Sequence, residues 1–230
     1  MNKLIIPSKT ERLIQKNEFL LTRGHDFVEI GGVKWATCNI GAKKPTDPGF
    51  YFQWGDTKGY TAEQIRNGEK CFNWRSYLFN CNTFMLLMNK YNVTDGKTML
   101  DISDDAVHAA WGGAWRMPTR EDFAALANAA TMAWTNNYQG SGVAGFVWTD
   151  NTDSSKELFF PSTGYCFESY IESLKTCFFW TISSNPLNVI ESNYIYFVSS
   201  NTNFIRSYIN YGGYCNRCVG FPIRGIIKTK

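Results

Sequence analysis

The stretch that decides the fold of this chain reads Trp111-Gly112-Gly113-Ala114-Trp115-Arg116-Met117-Pro118-Thr119. The paired glycines indicate a turn, and Pro118-Thr119 marks a helix start. Thr119 and Asp122 are spaced like a capping box, with an aspartate in place of the usual glutamate. Apolar residues then recur at helical spacing, namely Phe123, Leu126, Ala127 and Ala130. This pattern predicts a helix with one apolar face.

Upstream of this stretch the sequence predicts short elements. Residues 106–111 read as a short helix that Asp104 could cap. Alternation in residues 26–30 and 33–37 around Gly31-Gly32 predicts a hairpin. Residues 50–54 predict another short strand, and residues 76–91 are compatible with irregular structure or with a helix.

Downstream the helical periodicity disappears. Alternating strands are predicted at residues 158–160, 177–181, 194–199 and 219–223. Two helices followed by many short strands and turns indicate an α+β domain. We expect an N-terminal arm at residues 1–24 and one domain at 25–230, because residues 1–24 lack the Trp and Gly content of the rest of the chain.

Composition excludes several classes of protein. The 230 residues are 16% aromatic and 19% charged, with a net charge of +3. The chain is therefore too apolar for disorder, has no apolar run long enough to span a membrane, and is not basic enough for a nucleic-acid binder. The N-terminal residues do not have the pattern of a signal peptide. Seven cysteines, an odd number, favour free thiols in a reducing compartment.

A compositional break separates residues 181–227 from the rest. These 47 residues contain no Met, Trp, Lys or Gln and one Glu, Glu191, whereas these five types make up 41 of the other 183 residues. All codons of these five amino acids end in a purine. Replacing adenines in AAC or AAT codons reaches fifteen amino acids and never these five. The segment therefore has the composition that adenine-directed mutagenesis would produce, although a β-rich half with few long polar side chains is the alternative reading.

Six pieces of the chain carry a family resemblance: residues 33–42 (VKWATCNIGA), 49–58 (GFYFQWGDTK), 104–119 (DDAVHAAWGGAWRMPT), 160–165 (FPSTGY), 180–184 (WTISS) and 220–224 (GFPIR). They resemble the Fibrobacter succinogenes major paralogous domain family, which is common in gut Bacteroidetes and their phages. The match spans about residues 26–226. Ile182 and Pro222 replace the usual Ser, and Cys166 stands where Arg is frequent.

The resemblance implies a C-type lectin-like fold, with two helices beside small antiparallel sheets and a long irregular second half. Some members are variable proteins of diversity-generating retroelements, in which the final segment is diversified to present many binding surfaces. The purine-codon gap falls at the same place. The expected function is therefore non-enzymatic binding of a protein or glycan receptor on a cell surface. Neither a cofactor nor a metal is expected.

Strand geometry indicates how such a surface could vary. In residues 194–198, Ile195 and Phe197 point to one face and their neighbours to the other. Phe221 and Ile223 are expected core positions, and Arg217 and Arg224 are expected anchors on buried carbonyls. The candidate ligand-binding residues are Tyr194, Tyr196, Val198, Asn203, Phe204, Arg206, Tyr208, Asn210, Tyr211, Tyr214, Cys215, Asn216 and Cys218. Tyr with Ser, Gly and Asn is also typical of antibody paratopes.

The sequence gives weaker indications of a metal site, a redox site or a catalytic site. Cys215 and Cys218 form a Cys-x-x-Cys, but a zinc site lacks a second pair and a redox motif lacks its βαβ unit. A formylglycine-generating-type enzyme, which shares the lectin-like architecture, is the enzymatic alternative. Asp101, Asp104 and Asp105 lack the pattern of a calcium loop, and His108 reads as a packed surface residue. The Trp residues in the matching pieces, including Trp111, are expected in the core.

These expectations place the protein in a virion, as part of a phage tail, or in the cytoplasm of the producing cell. The arm would dock to the virion or form a homo-oligomer. An undiversified Bacteroidetes cell-surface or carbohydrate-binding protein is the alternative from another class.

Overall fold

The computed structural model of the chain describes residues 8–82, 86–172, 175–199 and 207–228, apart from the side chains of 199 and 207–212. In these ranges the protein is a mixed α+β fold of short helices and small antiparallel sheets, which confirms the predicted class. The helices are α1 (Lys9–Thr22), α2 (Ala62–Arg66), α3 (Ala106–Trp111) and α4 (Arg120–Ala129), with 3₁₀ turns at Ile102–Asp104 and Tyr138–Gly140.

Thirteen strands are present in the described residues. In chain order they are β1 (Phe27–Ile30), β2 (Val33–Asn39), β3 (Asn80–Asn82), β4 (Leu87–Met88), β5 (Ala130–Thr135), β6 (Gly145–Asp150), β7 (Glu157–Pro161), β8 (Tyr165–Phe167), β9 (Tyr170–Glu172), β10 (Thr176–Ser184), β11 (Glu191–Ser199), β12 (Ser207–Asn216) and β13 (Arg224–Lys228). They form the antiparallel sheets β1-β2-β13, β5-β6-β7 and β10-β11-β12 and the pairs β3-β4 and β8-β9. Strand β13 pairs with β2 and so joins residues 224–228 to the first hairpin, β1–β2.

The predicted β1–β2 hairpin is confirmed. Ile30 pairs with Val33 across the turn. Gly31 and Gly32 both have positive φ, +62° and +72°. A two-residue turn of type I′ needs this geometry at both central positions, and glycine adopts it without steric cost.

The predicted start of α4 is also confirmed. Asp122 N donates to Thr119 Oγ1 at 3.2 Å, and Thr119 N donates to Asp122 Oδ2 at 2.9 Å. Arg116 Nη2 lies 2.8 Å from the buried carboxylate of Asp122. Phe123 and Leu126 are fully buried on the inner face of the helix.

Helix α3 has a different cap from the predicted one. Asp105, not Asp104, is its N-cap: Oδ1 accepts from Val107 N at 2.9 Å and from His108 N at 3.1 Å. Asp104 instead belongs to the preceding 3₁₀ turn and bonds to Lys90. The reason is positional, because only the residue directly before the first helical residue can reach the free N–H groups of the first turn.

Two predicted strands are wrong. In residues 50–54, Tyr51 and Phe52 form only single bridges, to Tyr60 and Phe221. Residues 219–223 form bridges at Gly220 and Phe221, and the regular strand begins at Arg224. Both segments are buried and hold each other by reciprocal hydrogen bonds, Phe52 N to Phe221 O at 2.9 Å and Phe221 N to Phe52 O at 3.1 Å. Pro222 has no N–H to continue a ladder.

The ambiguous residues 76–91 contain the short β3–β4 hairpin in their described part.

The core contains most of the tryptophans of the matching pieces. Trp35, Trp54, Trp115 and Trp180 are fully buried, whereas Trp111 is partly exposed and covers Gly225. Two of them tie the chain's halves together, because Trp54 Nε1 donates to Thr181 O at 2.9 Å and Trp180 Nε1 donates to Phe52 O at 2.8 Å.

Candidate functional site

Strand β11 separates core from surface as its alternation predicts. Ile195 and Phe197 are fully buried. The ring of Phe197 packs among rings from four other elements, namely Phe123, Phe146, Trp148, Phe160 and Phe179. Tyr194, Tyr196 and Val198 are partly exposed on the other face. One strand therefore contributes alternately to the core and to an accessible face.

The accessible face carries a stack of aromatic rings. Phe178 of β10 stacks on Tyr194 and Tyr196, with centroids 5.9 and 5.8 Å apart and interplanar angles of 29° and 25°. Tyr165 of β8 meets Phe178 edge-on at 5.3 Å. We call these four partly exposed residues, Tyr165, Phe178, Tyr194 and Tyr196, the aromatic surface. Buried Phe221 lies beneath it, 5.3 Å from both Phe178 and Tyr194.

Tyr165 and Phe178 are absent from the residues predicted from the sequence. Phe178 could have been found by the argument used for β11, because Cys177 and Phe179 on either side of it are fully buried. Its strand partner is Tyr196, and paired residues of antiparallel strands share a face. The position of Tyr165 has no such signal, because it depends on how β8 packs beside β10.

Strand β12 contributes backbone to this face at Gly213, which pairs with Tyr194. Its register places the Cα atoms of Asn210 and Tyr208 opposite Tyr196 and Val198. Of the predicted residues, Tyr208, Asn210 and Tyr211 have described backbone only. Asn203, Phe204 and Arg206 lie outside the described residues.

The end of strand β12 carries two of the predicted residues, Tyr214 and Asn216, on the face away from the aromatic surface. Tyr214 and Asn216 are exposed but pair with Asn193 and Glu191. Since side chains alternate along a strand, they lie on the face opposite Tyr194.

The cysteines of the Cys-x-x-Cys are mostly covered. Cys215 is partly exposed beside Tyr194. Cys218 is fully buried, so the prediction that it is an exposed ligand-binding residue is wrong. Cys218 is covered because the turn after β12 folds onto the core. There the carbonyl oxygen of Cys218 accepts a hydrogen bond from Gln53 Nε2 at 2.9 Å. Burial raises the pKa of Cys215 to about 11 and that of Cys218 to about 12. Both thiols are therefore protonated at neutral pH, and the thiolate is the reactive form.

Arg217 anchors the end of the segment, as predicted. It is fully buried and its Nε donates to Glu191 O at 3.1 Å and to Ser192 Oγ at 3.0 Å. Its Nη1 donates to Tyr91 O at 2.9 Å, and its guanidinium lies 4.6 Å from the Trp54 ring centroid. The side chain therefore joins β11 to the loops of the first half.

Arg224 anchors β13 in the same way. It is fully buried, and burial lowers its pKa to about 10. Its Nη1 donates to Ala36 O at 2.8 Å and to Thr37 O at 3.0 Å, and Nη2 donates to Phe159 O at 3.1 Å. Its Nε donates to Asn39 Oδ1 at 2.8 Å. One side chain thus satisfies acceptors on β2 and β7.

The acidic residues weighed as calcium ligands have structural partners. Asp101 lies 2.9 Å from Lys90 Nζ and 2.6 Å from Lys97 Nζ, and Asp105 also accepts from Met117 N at 2.8 Å. His108 is partly exposed on α3. Across the described ranges, no group of three or more His, Cys, Asp and Glu residues is placed to hold a metal ion.

Within those ranges, no helix is both long and apolar enough to cross a bilayer. Comparisons with family models, with curated proteins and with solved structures found no match to this chain.

Proposed function

We propose that this chain is a non-enzymatic binding protein with a C-type lectin-like fold, and that the aromatic surface and the adjoining β12 recognise a ligand or cell-surface receptor. The observation that carries the proposal is the alternation in β11. Ile195 and Phe197 are fully buried, while Tyr194 and Tyr196 are presented on the aromatic surface. The surface side chains of β11 can therefore be substituted while the core residues between them are kept.

The aromatic surface has the chemistry of a recognition patch. Partly exposed Tyr and Phe rings offer rigid contact area at a low cost in conformational entropy, which is why they are enriched in paratopes. Because the rings rest on one another and on Phe221, they are ordered before a ligand arrives.

We further propose that a diversity-generating retroelement diversifies residues 181–227. The two buried arginines support this reading, because they bond to main-chain oxygens at Glu191 and Phe159. Main-chain acceptors are present whatever side chain a codon specifies. The reciprocal bonds between Phe52 and Phe221 are of the same kind. The segment is thus held largely by contacts that mutation of its surface positions leaves intact.

Glu191 fits the same scheme. It is the one residue of residues 181–227 that requires a codon ending in a purine. Its carboxylate accepts from Asn185 Nδ2 at 2.9 Å, and its carbonyl accepts from Arg217 Nε. A fixed residue is expected at such a structural position.

The protonated thiols of Cys215 and Cys218 do not favour the enzymatic alternative, which would use them as reactive groups. The receptor-binding role instead fits a phage tail protein that meets varied cell surfaces.

The DNA around the gene tests the proposal. We expect a nearby near-copy of the coding segment for residues 181–227 that differs from it only at adenines, together with a reverse transcriptase gene. The absence of such a copy in the complete source genome, or differences at other bases, would overturn the diversification. Binding by a fixed surface would then be the remaining function.

A further inference from the structure

Two cavities adjoin where helix α1 meets the β1–β2 hairpin. The larger has a volume of about 600 Å³ and the smaller a volume of about 180 Å³. Both are lined by Gly24, His25, Asp26 and Thr37, so they form one continuous depression. Its size falls in the range of sites that hold small molecules. All of its lining residues lie outside the segment 181–227.

The smaller cavity is lined by one charged side chain of each sign, Asp26 and Lys43. Within the described parts of the chain, neither the Asp26 carboxylate nor the Lys43 ammonium group forms an ion pair or a hydrogen bond. Glu18, which lines the larger cavity, differs because it is held by Lys34 Nζ at 2.8 Å. Unpaired charges in a concave site attract groups of the opposite sign.

The imidazole beside these charges is held in place and carries no charge of its own. The ring of His25 lies 4.4 Å from that of Trp111, which in turn meets Trp115 edge-on at 5.2 Å. Burial lowers the pKa of His25 and outweighs the opposing effect of Asp26, so the imidazole is neutral at pH 7. Asp26 and Lys43 are therefore the two charges that the depression offers to a ligand.

The larger cavity adds apolar surface next to this charged end. Phe19 of α1 is 60% exposed, and Phe27 of β1 is half-buried. Both line the cavity. Lys34 Nζ covers one face of Phe27 at 4.2 Å from the ring centroid, so Phe19 is the more accessible ring. A ligand that fills the whole depression therefore needs an ammonium group, a carboxylate and an apolar group.

We propose that this depression binds a free α-amino acid with an apolar or aromatic side chain. A free amino acid carries one ammonium group and one carboxylate on a single carbon atom, which matches the charges of the cavity. Its ammonium group pairs with Asp26, its carboxylate pairs with Lys43, and its side chain lies against Phe19. Both pairs are charge-assisted hydrogen bonds, which are stronger than neutral ones. This inference does not depend on whether residues 181–227 are diversified.

Isothermal titration calorimetry of the full chain with L-phenylalanine and with L-leucine tests the class of ligand. We expect at least one of the two amino acids to bind at one site per chain. Its N-acetyl derivative lacks the ammonium group and its methyl ester lacks the carboxylate, so each should bind at least about tenfold more weakly. The proposal is overturned if neither amino acid binds, or if either derivative binds as tightly as the amino acid itself.

Substitutions at the two charges locate the site. Asp26→Asn and Lys43→Met should each weaken binding by at least about tenfold, because each removes one charged hydrogen bond. Both side chains are exposed, so near-ultraviolet circular dichroism should show an unchanged fold. The control Lys44→Met changes the neighbouring lysine, which lines neither cavity, and should bind as the wild type does. Wild-type affinity in either test variant, or an equal loss in the control, would contradict the assignment.

The thiol of Cys38 reports occupancy without any substitution. It is partly exposed and lines the smaller cavity, whereas Cys81 is exposed elsewhere. A saturating concentration of the bound amino acid should slow the alkylation of Cys38 and leave that of Cys81 unchanged, as measured by peptide mass spectrometry. No slowing at Cys38, or equal slowing at both thiols, would show that the amino acid does not occupy this depression.

Discussion

The ring of Tyr194 lies against the backbone of Gly213 on the neighbouring strand. A Cβ atom at Gly213 would lie 2.4 Å from Cε1 of that ring and 2.5 Å from Cζ. The two residues are register partners in β11 and β12. The size of one residue therefore limits the other, although both lie in the proposed variable segment.

A double-mutant cycle tests this coupling. Gly213→Ala should lower the free energy of unfolding by about 1–3 kcal/mol, because the added methyl must displace a packed ring. In a Tyr194→Ala background the same change should be neutral or slightly stabilising, because glycine in a strand carries an entropy cost. Urea denaturation of the four proteins measures both values. An equal cost in both backgrounds would show that the ring does not constrain Gly213.

Neighbouring residues of β11 should differ sharply in how much stability is lost when each is replaced by alanine. Phe197→Ala should cost about 3–5 kcal/mol of unfolding free energy, because it leaves a cavity among five aromatic rings. Tyr196→Ala, one residue earlier, should cost about 1 kcal/mol, mainly from lost ring stacking. Chemical denaturation with both variants makes the comparison. Similar costs would contradict the division of β11 into core and surface faces.

Arg224 should be indispensable for stability. Arg224→Met preserves much of the volume but leaves three carbonyls and the Asn39 amide oxygen without their donor. At about 1–3 kcal/mol for each buried unsatisfied group, we expect a loss of at least about 3 kcal/mol. The exposed Arg120→Met serves as the control and should change stability by about 0.5 kcal/mol or less. Equal thermal unfolding of the two variants would argue against the anchor.

The thiol of Cys215 should react slowly in the folded protein. Burial raises its pKa from 9.0 to about 11, so at pH 8 its thiolate fraction is about a hundredfold lower than in the unfolded chain. Alkylation followed by peptide mass spectrometry, with the protein in urea as control, measures the ratio. The folded-state rate should rise about tenfold per pH unit up to about pH 11. A rate that is already high and level at pH 7 would instead indicate an activated cysteine and favour the enzymatic alternative.

Local signals predicted the elements that local chemistry controls. The Gly31-Gly32 turn and the Thr119–Asp122 capping box depend on residues a few positions apart, and both form as predicted. The alternation in β11 was sufficient to predict which of its residues are buried and which are accessible, because one face of that strand packs against the core. Arg217 and Arg224 could be recognised as anchors because buried cations need several acceptors.

Long-range packing explains the errors. Residues 50–54 and 219–223 alternate like strands, but each is enclosed by chain on more than one side and pairs at single bridges. Tyr165 joins the aromatic surface through the placement of β8, which no pattern near Tyr165 reports. Cys218 lies two residues after the end of β12, yet the turn there directs it into the core. The bonds between Phe52 and Phe221 and the bond from Gln53 to Cys218 each join residues more than a hundred positions apart.

Sequencing the coding segment of residues 181–227 in many isolates of the source population tests the central claim most directly. Substitutions should arise at adenines and concentrate at outward positions such as Tyr194 and Tyr196. The codons of Ile195, Phe197, Arg217 and Arg224 should remain unchanged. Substitutions spread evenly over inward and outward positions, or a segment identical in all isolates, would contradict a diversified binding surface.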